Sequence, residues 1–140
     1  EANAHSGIKL NEKWSTGIFV HAASVFNEND DNNDGFTDLP LGKIGAVMNR
    51  WQFNGKKMEA QFGFNGYIDE KTGGQLGYKR ANSNGLYGME LDSKHLDAFV
   101  KTGFFMKKPY NSIGVVYNFK YQTLDAKYGL RSFQGEEKRG

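Results

Sequence analysis

The chain has 140 residues, of which 14% are aromatic, 18 are glycine, two are proline and none is cysteine. This composition favours strands and tight turns over disorder, and it excludes disulfides, thiolate metal sites and a cysteine nucleophile. The net charge of +2 arises from 18 basic and 16 acidic residues spread along the chain, which excludes the clustered basic surface of a nucleic-acid-binding protein.

The dominant hydrophobic period is two residues, which predicts β-strands because successive strand residues point to opposite faces. In chain order the predicted strands are residues 6–10, 14–26, 44–53, 57–69, 96–106 and 113–123. The alternation is clearest in the fourth, where an apolar face from Met58 to Ile68 opposes a polar face from Glu59 to Asp69. In the sixth, the apolar face extends from Ile113 to Tyr121.

The connections between these strands alternate in length. Short turn-forming segments at residues 11–12, 54–55 and 107–111 alternate with long polar stretches at residues 27–43, 70–94 and 125–140. Short turns at one end and long loops at the other are typical of outer-membrane β-barrels. Aromatic residues gather at both ends, which predicts a band at each membrane interface. Near the short turns these are Trp14, Trp51, Phe53, Phe104, Phe105 and Tyr110, and near the long loops Phe26, Tyr67, Tyr121 and Tyr128.

The sequence therefore predicts an all-β protein, an antiparallel up-and-down meander of about six strands. A soluble antiparallel barrel or sandwich also has alternating strands. Charges in mid-strand at Glu59, Lys101 and Lys120 suit a wet lumen better than a dry core. Since membrane barrels begin at about eight strands, we expect residues 1–140 to be a segment of one larger transmembrane β-barrel domain.

Several short stretches resemble the barrel of TonB-dependent outer-membrane receptors, particularly the Bacteroidetes group associated with cobalamin, haem or iron-chelate uptake. They are residues 10–17 (LNEKWSTG), the acidic stretch 29–40, then 49–51 (NRW), 72–75 (TGGQ), 98–104 (AFVKTGF), 110–114 (YNSIG) and 128–131 (YGLR). They come in the family's order and span nearly the whole chain.

The resemblance implies a receptor in the bacterial outer membrane that binds and imports a bulky, scarce nutrient. In that family an N-terminal plug occludes the barrel and is engaged by TonB. No plug and no TonB-contacting motif occur in this sequence, so the resemblance implies part of the barrel wall and loops. Its expected partners are outer-membrane lipid, the rest of the barrel, the plug, TonB through that plug, and a small-molecule nutrient.

The first long stretch contains a possible calcium loop with the pattern D-x-N-x-D-G-x-x-D. The predicted ligands are Asp30, Asn32, Asp34, the Phe36 carbonyl and Asp38. Gly35 permits the sharp turn between them, and hard oxygen ligands favour Ca²⁺ over transition metals. Leu41 stands where an EF-hand has its bidentate Glu, and a solvated Asx-rich turn explains the same residues. Weak binding, on the order of 0.1–1 mM, would suffice outside a cell.

The second long stretch offers weaker ligand-binding candidates in Tyr78, Arg80 and Tyr87, which suit an anionic or aromatic ligand or an ordinary mixed loop surface. No spacing typical of a zinc site surrounds His5, His21 or His95. No Ser/His/Asp set or placed carboxylate pair indicates catalysis, so we expect a binding protein and not an enzyme. The alternative function is a soluble, calcium-stabilised β-module for adhesion or carbohydrate binding.

Overall fold

The computed structural model describes residues 1–80, 82–107 and 111–140. Its strands are β1 (Ala2–Lys9), β2 (Trp14–Val25), β3 (Leu41–Asn54), β4 (Met58–Gly74), β5 (Gly88–Phe105), β6 (Ser112–Tyr128) and β7 (Arg131–Arg139). They form one antiparallel sheet in the order β1-β2-β3-β4-β5-β6-β7. The predicted all-β up-and-down meander is confirmed. Within the described ranges the sheet is open, because β1 and β7 do not pair.

The strands are more numerous and longer than the sequence predicts. A seventh strand, β7, lies in the stretch predicted as a terminal loop, and β4, β5 and β6 extend beyond residues 69, 96 and 123 respectively. In these extensions both faces carry polar residues, such as Glu70 and Asp92 on one side and Lys71 and Ser93 on the other. Hydrophobic alternation therefore ends before the backbone ladder does, because hydrogen bonding between strands does not require an apolar face.

Two of the three predicted short turns are described. Asn11 accepts hydrogen bonds at its Oδ1 from the amides of Lys13 and Trp14, both at 2.9 Å, and the Gly55 amide donates to the Met58 carbonyl at 2.8 Å. In the third turn, residues 108–110 lie outside the described residues. Among the described residues, no helix is long and apolar enough to cross a membrane.

The register divides the side chains into two faces, because directly paired residues on antiparallel strands point the same way. Phe62 pairs with Trp51 and with Val100, and Val100 pairs with Tyr117. We call this side the apolar face. Its apolar band consists of alternate residues in 14–22, 45–53, 58–68, 96–104 and 113–121, none of which is Asp, Glu, Lys or Arg.

The opposite side, the polar face, carries the mid-strand charges. Level with the apolar band they are Arg50, Glu59, Asp97, Lys101 and Lys120. The charges that the sequence analysis singled out therefore all lie on the side of the sheet opposite to the band.

The apolar band is not covered by any second layer of the described chain. Among the described residues the only buried hydrophobic ones are Tyr78 and Ala126, and neither belongs to the band, in which Phe64 is 44% exposed, Val100 45% and Ile113 51%. A water-exposed domain normally buries such a face against another element, and a contiguous apolar surface of this kind marks contact with another molecule or a membrane.

Aromatic side chains cluster where the apolar face meets the short turns. The Trp14 ring lies 4.9 Å from Phe53 and 6.2 Å from Phe62, and Trp51 stacks on Phe62 at 6.3 Å with an interplanar angle of 4°. The aromatics of the long-loop end are divided between the faces. Tyr121 points to the apolar side, and Tyr67 and Tyr128 point to the polar side.

Candidate functional site

Two long loops extend from the same end of the sheet and are joined to each other. The acidic loop, residues 26–40, connects β2 to β3, and the second loop, residues 75–87, connects β4 to β5. Phe36 and Gln75 form an isolated antiparallel bridge, and both carboxylate oxygens of Glu28 accept from the Gly77 amide at 3.2 Å. The order of one loop is therefore linked to that of the other.

In the acidic loop, the predicted ligand side chains turn back onto their own backbone. Asp30 accepts from the amide of Asp34 at 3.1 Å through Oδ1 and from that of Gly35 at 3.0 Å through Oδ2. Asn32 also accepts from the Asp34 amide, at 3.1 Å. Gly35 has a φ of 82°, in the left-handed region that glycine adopts without strain. The sharp turn expected at this glycine is present.

Asp38 closes the loop from the other side. Its Oδ2 accepts from the Asp31 amide at 2.7 Å, and its own amide donates to the Asn29 carbonyl at 2.8 Å. The Phe36 amide donates to Asp34 at 2.8 Å. The five predicted ligand positions thus belong to one compact loop.

Calcium binding by this loop stays a prediction. In the described part of the chain, no group of three or more His, Asp or Glu residues is arranged to hold a metal ion. The Asp and Asn oxygens accept backbone amides, which an Asx-rich turn does without any ion.

The second loop folds back over the apolar-face side of β4 and β5, beyond the band. The Tyr78 hydroxyl donates to Glu90 Oε1 at 2.5 Å, and the Tyr78 ring lies against Gly88 so closely that no Cβ would fit there. The hydrogen bond that the Tyr78 hydroxyl donates to this carboxylate raises the pKa of Tyr78 above its ordinary 10.0. The hydrogen bond to Glu90 is the largest cause, followed by desolvation.

All three guanidinium nitrogens of Arg80 donate hydrogen bonds that hold the same loop. Nη1 donates to both oxygens of Asp92 at 2.7 and 2.8 Å, Nε donates to the Thr72 hydroxyl at 2.6 Å, and Nη2 donates to the Lys71 carbonyl at 2.7 Å. The polar groups of Arg80 are therefore engaged within the chain. Because Thr72 and Asp92 point to the same side as the band, Tyr78 and Arg80 are held away from the polar face.

Tyr87, the third predicted ligand-binding residue, is not brought together with the other two by a side-chain hydrogen bond in the described region. Its amide donates to Gln75 Oε1 at 2.7 Å, its ring lies close to Gly129, and it is 52% exposed. Of the three, it presents the most accessible surface.

The polar face contains a cluster that the sequence analysis missed. His95 Nε2 lies 2.5 Å from Asp97 Oδ2, and the Tyr67 ring stacks on the imidazole at 4.9 Å. Nδ1 of His95 is buried and has no hydrogen-bond partner among the described residues. A signal existed in the His-x-Asp spacing, since residues i and i+2 of a strand share a face.

Comparison of the chain with protein-family models, with curated proteins and with solved structures finds no match.

Proposed function

We propose that this chain is part of the wall and loops of a transmembrane β-barrel in the bacterial outer membrane. In this proposal the barrel belongs to a TonB-dependent receptor that binds and imports a bulky nutrient such as cobalamin, haem or an iron chelate. The chain contributes binding surface and no catalysis. The plug, the remaining strands and TonB complete the transporter.

The observation that carries the proposal is the charge-free apolar band on a single-layer sheet. Its side chains are exposed while charged residues occupy the other face. This is the reverse of a water-soluble protein, and it matches a barrel wall with lipid outside and a wet lumen inside.

The height of the band supports the same reading. It extends over 9 to 11 positions on each of β2 to β6, as in residues 14–22 and 58–68. At about 3.3 Å per residue and a tilt of about 45°, such strands cross the apolar core of an outer membrane, about 25 Å tall. At the long-loop edge of the band the apolar face turns charged, first at Lys94 opposite Ile68 and then at Lys43, Glu70, Asp92 and Asp125.

The choice of family rests on the short stretches that follow the order of TonB-dependent receptors. The two joined loops lie at the end of the sheet that the proposal places outside the cell. There they would take part in capturing the nutrient, with Tyr87 as an accessible contact and with calcium at Asp30, Asn32, Asp34, Phe36 and Asp38 ordering the acidic loop.

The alternative of a soluble calcium-stabilised β-module has weaker support. It would leave exposed, in water, residues such as Ile68 at 53% and Val115 at 53%. A soluble monomer of this size seldom exposes so large an apolar surface.

Tryptophan fluorescence tests the proposal directly, because the chain's two tryptophans, Trp14 and Trp51, both lie on the apolar face. We expect lipids brominated on their acyl chains to quench both when the full product of the gene is reconstituted in vesicles. In a matched control, both tryptophans are replaced by Phe and Phe99, on the polar face, is replaced by Trp. Its quenching should fall by the share that Trp14 and Trp51 contribute, because any tryptophans elsewhere in the full gene product are the same in both proteins.

Equal quenching of the two proteins, or none of either, would contradict a lipid-facing band. A parent protein that is released from cells without detergent would contradict it as well.

A further inference from the structure

An apolar groove lies across the band, close to the end that carries the long loops. It has a volume of about 650 Å³ and is walled by Val20, Val47, Ile68, Leu96 and Tyr121. Its floor is low because Ala22, Gly45 and Gly66 stand where the neighbouring positions carry large side chains. The apolar lining of the groove suits a hydrocarbon chain.

A second cavity begins two residues further along the same strands, at Lys43 on β3 and Glu70 on β4. It has a volume of about 320 Å³ and is bounded on one side by Tyr78, Lys79 and Arg80 of the second loop. The apolar groove therefore leads into a pocket rich in basic side chains, just outside the band.

Among the described residues that line the two cavities, basic side chains outnumber acidic ones, whereas Asp92 and Asp125 lie further along the same face without lining either. Lys43 and Lys79 line the second cavity, and Lys94 lies at the end of the groove nearest to it. In the described residues none of the three forms an ion pair within 4.0 Å. Of the described residues that line either cavity, Glu70 alone is acidic, and it is the direct cross-strand partner of Lys43. Arg80 is neutralised by Asp92.

We propose that this continuous surface is a binding site for one anionic lipid with a phosphate-bearing headgroup, in the leaflet nearest the long loops. An acyl chain lies in the groove over Gly45 and Gly66, and the headgroup phosphate lies between Lys43, Lys79 and Lys94. This proposal rests on the membrane location proposed above. It goes further, because a lipid-facing wall needs no particular lipid, whereas this surface selects a negative headgroup.

The second cavity is formed partly by the second loop, which Tyr78 and Arg80 hold against β4 and β5. A bound lipid headgroup would therefore contact the loop whose order is linked to the acidic loop. Lipid binding and loop order would stabilise each other, since a ligand that binds one arrangement favours that arrangement.

Native mass spectrometry of the full gene product in detergent tests this site, with dioleoylphosphatidylglycerol and dioleoylphosphatidylcholine as probes. We expect the wild type to retain one phosphatidylglycerol at about tenfold lower lipid concentration than phosphatidylcholine. The double variant Lys43→Gln/Lys94→Gln should lose this preference. The matched control Lys101→Gln/Lys120→Gln removes the same charge from the polar face and should keep it.

Larger side chains in the groove test whether an acyl chain binds there. A Cβ at Gly45 or Gly66 would meet its nearest neighbours at 3.5 Å or more, so Gly45→Leu/Gly66→Leu projects into the groove without a backbone clash. We expect this variant to keep its β-sheet circular dichroism and to lose the retained phosphatidylglycerol.

A wild type that binds the two lipids equally, or a Lys43→Gln/Lys94→Gln variant that keeps the preference, would overturn the lipid site. If brominated lipids still quench Trp14 and Trp51 in that case, the membrane proposal stands and only the specific site fails. If quenching is also absent, both proposals fail.

Discussion

Arg80 and Asp92 form an ion pair across the base of the second loop, in which Nη1 donates to both carboxylate oxygens, to Oδ1 at 2.7 Å and to Oδ2 at 2.8 Å. The pair joins the loop to β5 on the apolar-face side, and the bond from Arg80 to Thr72 joins it to β4. Since both side chains are about one-third exposed, solvent screening makes this a local fastening and not a source of global stability.

Replacing Arg80 by Lys keeps the charge but removes the planar fork that reaches three partners. We expect amide hydrogen exchange in residues 75–87 to accelerate by about fivefold, equivalent to about 1 kcal/mol of local opening. Exchange in β4 and β5 should not change. Lys79→Gln is the control, because Lys79 forms no ion pair among the described residues. Equal acceleration in both variants would contradict a specific role for Arg80.

Substitutions of two adjacent valines on β6 distinguish the membrane proposal from the soluble alternative. Val115 points to the apolar face and Val116 to the polar face, and they are 53% and 60% exposed. In a membrane, Val115→Arg should cost on the order of 2 kcal/mol because a cation enters lipid. Val116→Arg should cost only a few tenths, since it meets Lys101 across a wet face. Urea-dependent folding into vesicles measures both.

In water the two arginine variants should behave alike, because both positions are similarly exposed and surface substitutions change stability by about 0.5 kcal/mol or less. A soluble chain with two equally stable variants would therefore contradict the barrel wall.

Calcium binding is expected to depend on some acidic residues of the first loop and not on others. We expect calcium at about 0.1–1 mM to slow proteolysis of both loops, because the bridge between Phe36 and Gln75 joins them. Asp30→Asn or Asp34→Asn should raise the required concentration at least about tenfold, since each removes a ligand charge.

Asp31→Asn is the matched control for calcium, because only the backbone amide of Asp31 takes part in the loop's hydrogen bonds. This variant should respond as the wild type does. Isothermal titration would reject the calcium site if millimolar calcium gave no heat, or if all three variants were impaired alike.

Tyr78 should titrate above the ordinary tyrosine range. Its raised pKa means that the folded protein favours the protonated phenol, which donates to Glu90. The resulting stabilisation of the loop is fully present below pH 10.0 and is lost as the pH rises through the raised pKa. The difference in tyrosine absorbance between the wild type and Tyr78→Phe isolates this group, and Glu90→Gln should move its titration back toward 10.0. A difference titration at or below 10.0 would contradict this contact.

The strand pattern was predictable wherever one face was apolar. In β4, the alternation from Met58 to Ile68 marked the strand, and Asn54-Gly55 marked the turn before it. The same approach missed Glu70 to Gly74 and all of β7, because polar residues on both faces leave no hydrophobic period to detect. Their pairing is decided by hydrogen bonds to the neighbouring strand, which only the register displays.

The candidate residues divide in the same way. The D-x-N-x-D-G spacing was sufficient to predict the turn at Gly35, since ligand spacing and turn chemistry are local. The positions of Tyr78 and Arg80 could not be predicted, because their partners Glu90 and Asp92 lie on a strand reached only after the loop folds back. The pairing of His95 with Asp97 was a local signal that went unused.

The sequence by itself determined the fold class, the alternating faces and two of the three predicted long loops, because each follows from neighbouring residues. The third predicted loop, residues 125–140, is instead the end of β6, a two-residue turn and β7. The tertiary structure decided which strands share a register, and so which side chains gather on one surface. Only that register places Ile68, Leu96 and Tyr121 around Gly66 and brings Lys94 to the end of the groove. Contacts between strands depend on residues far apart in the chain, and no local pattern encodes them.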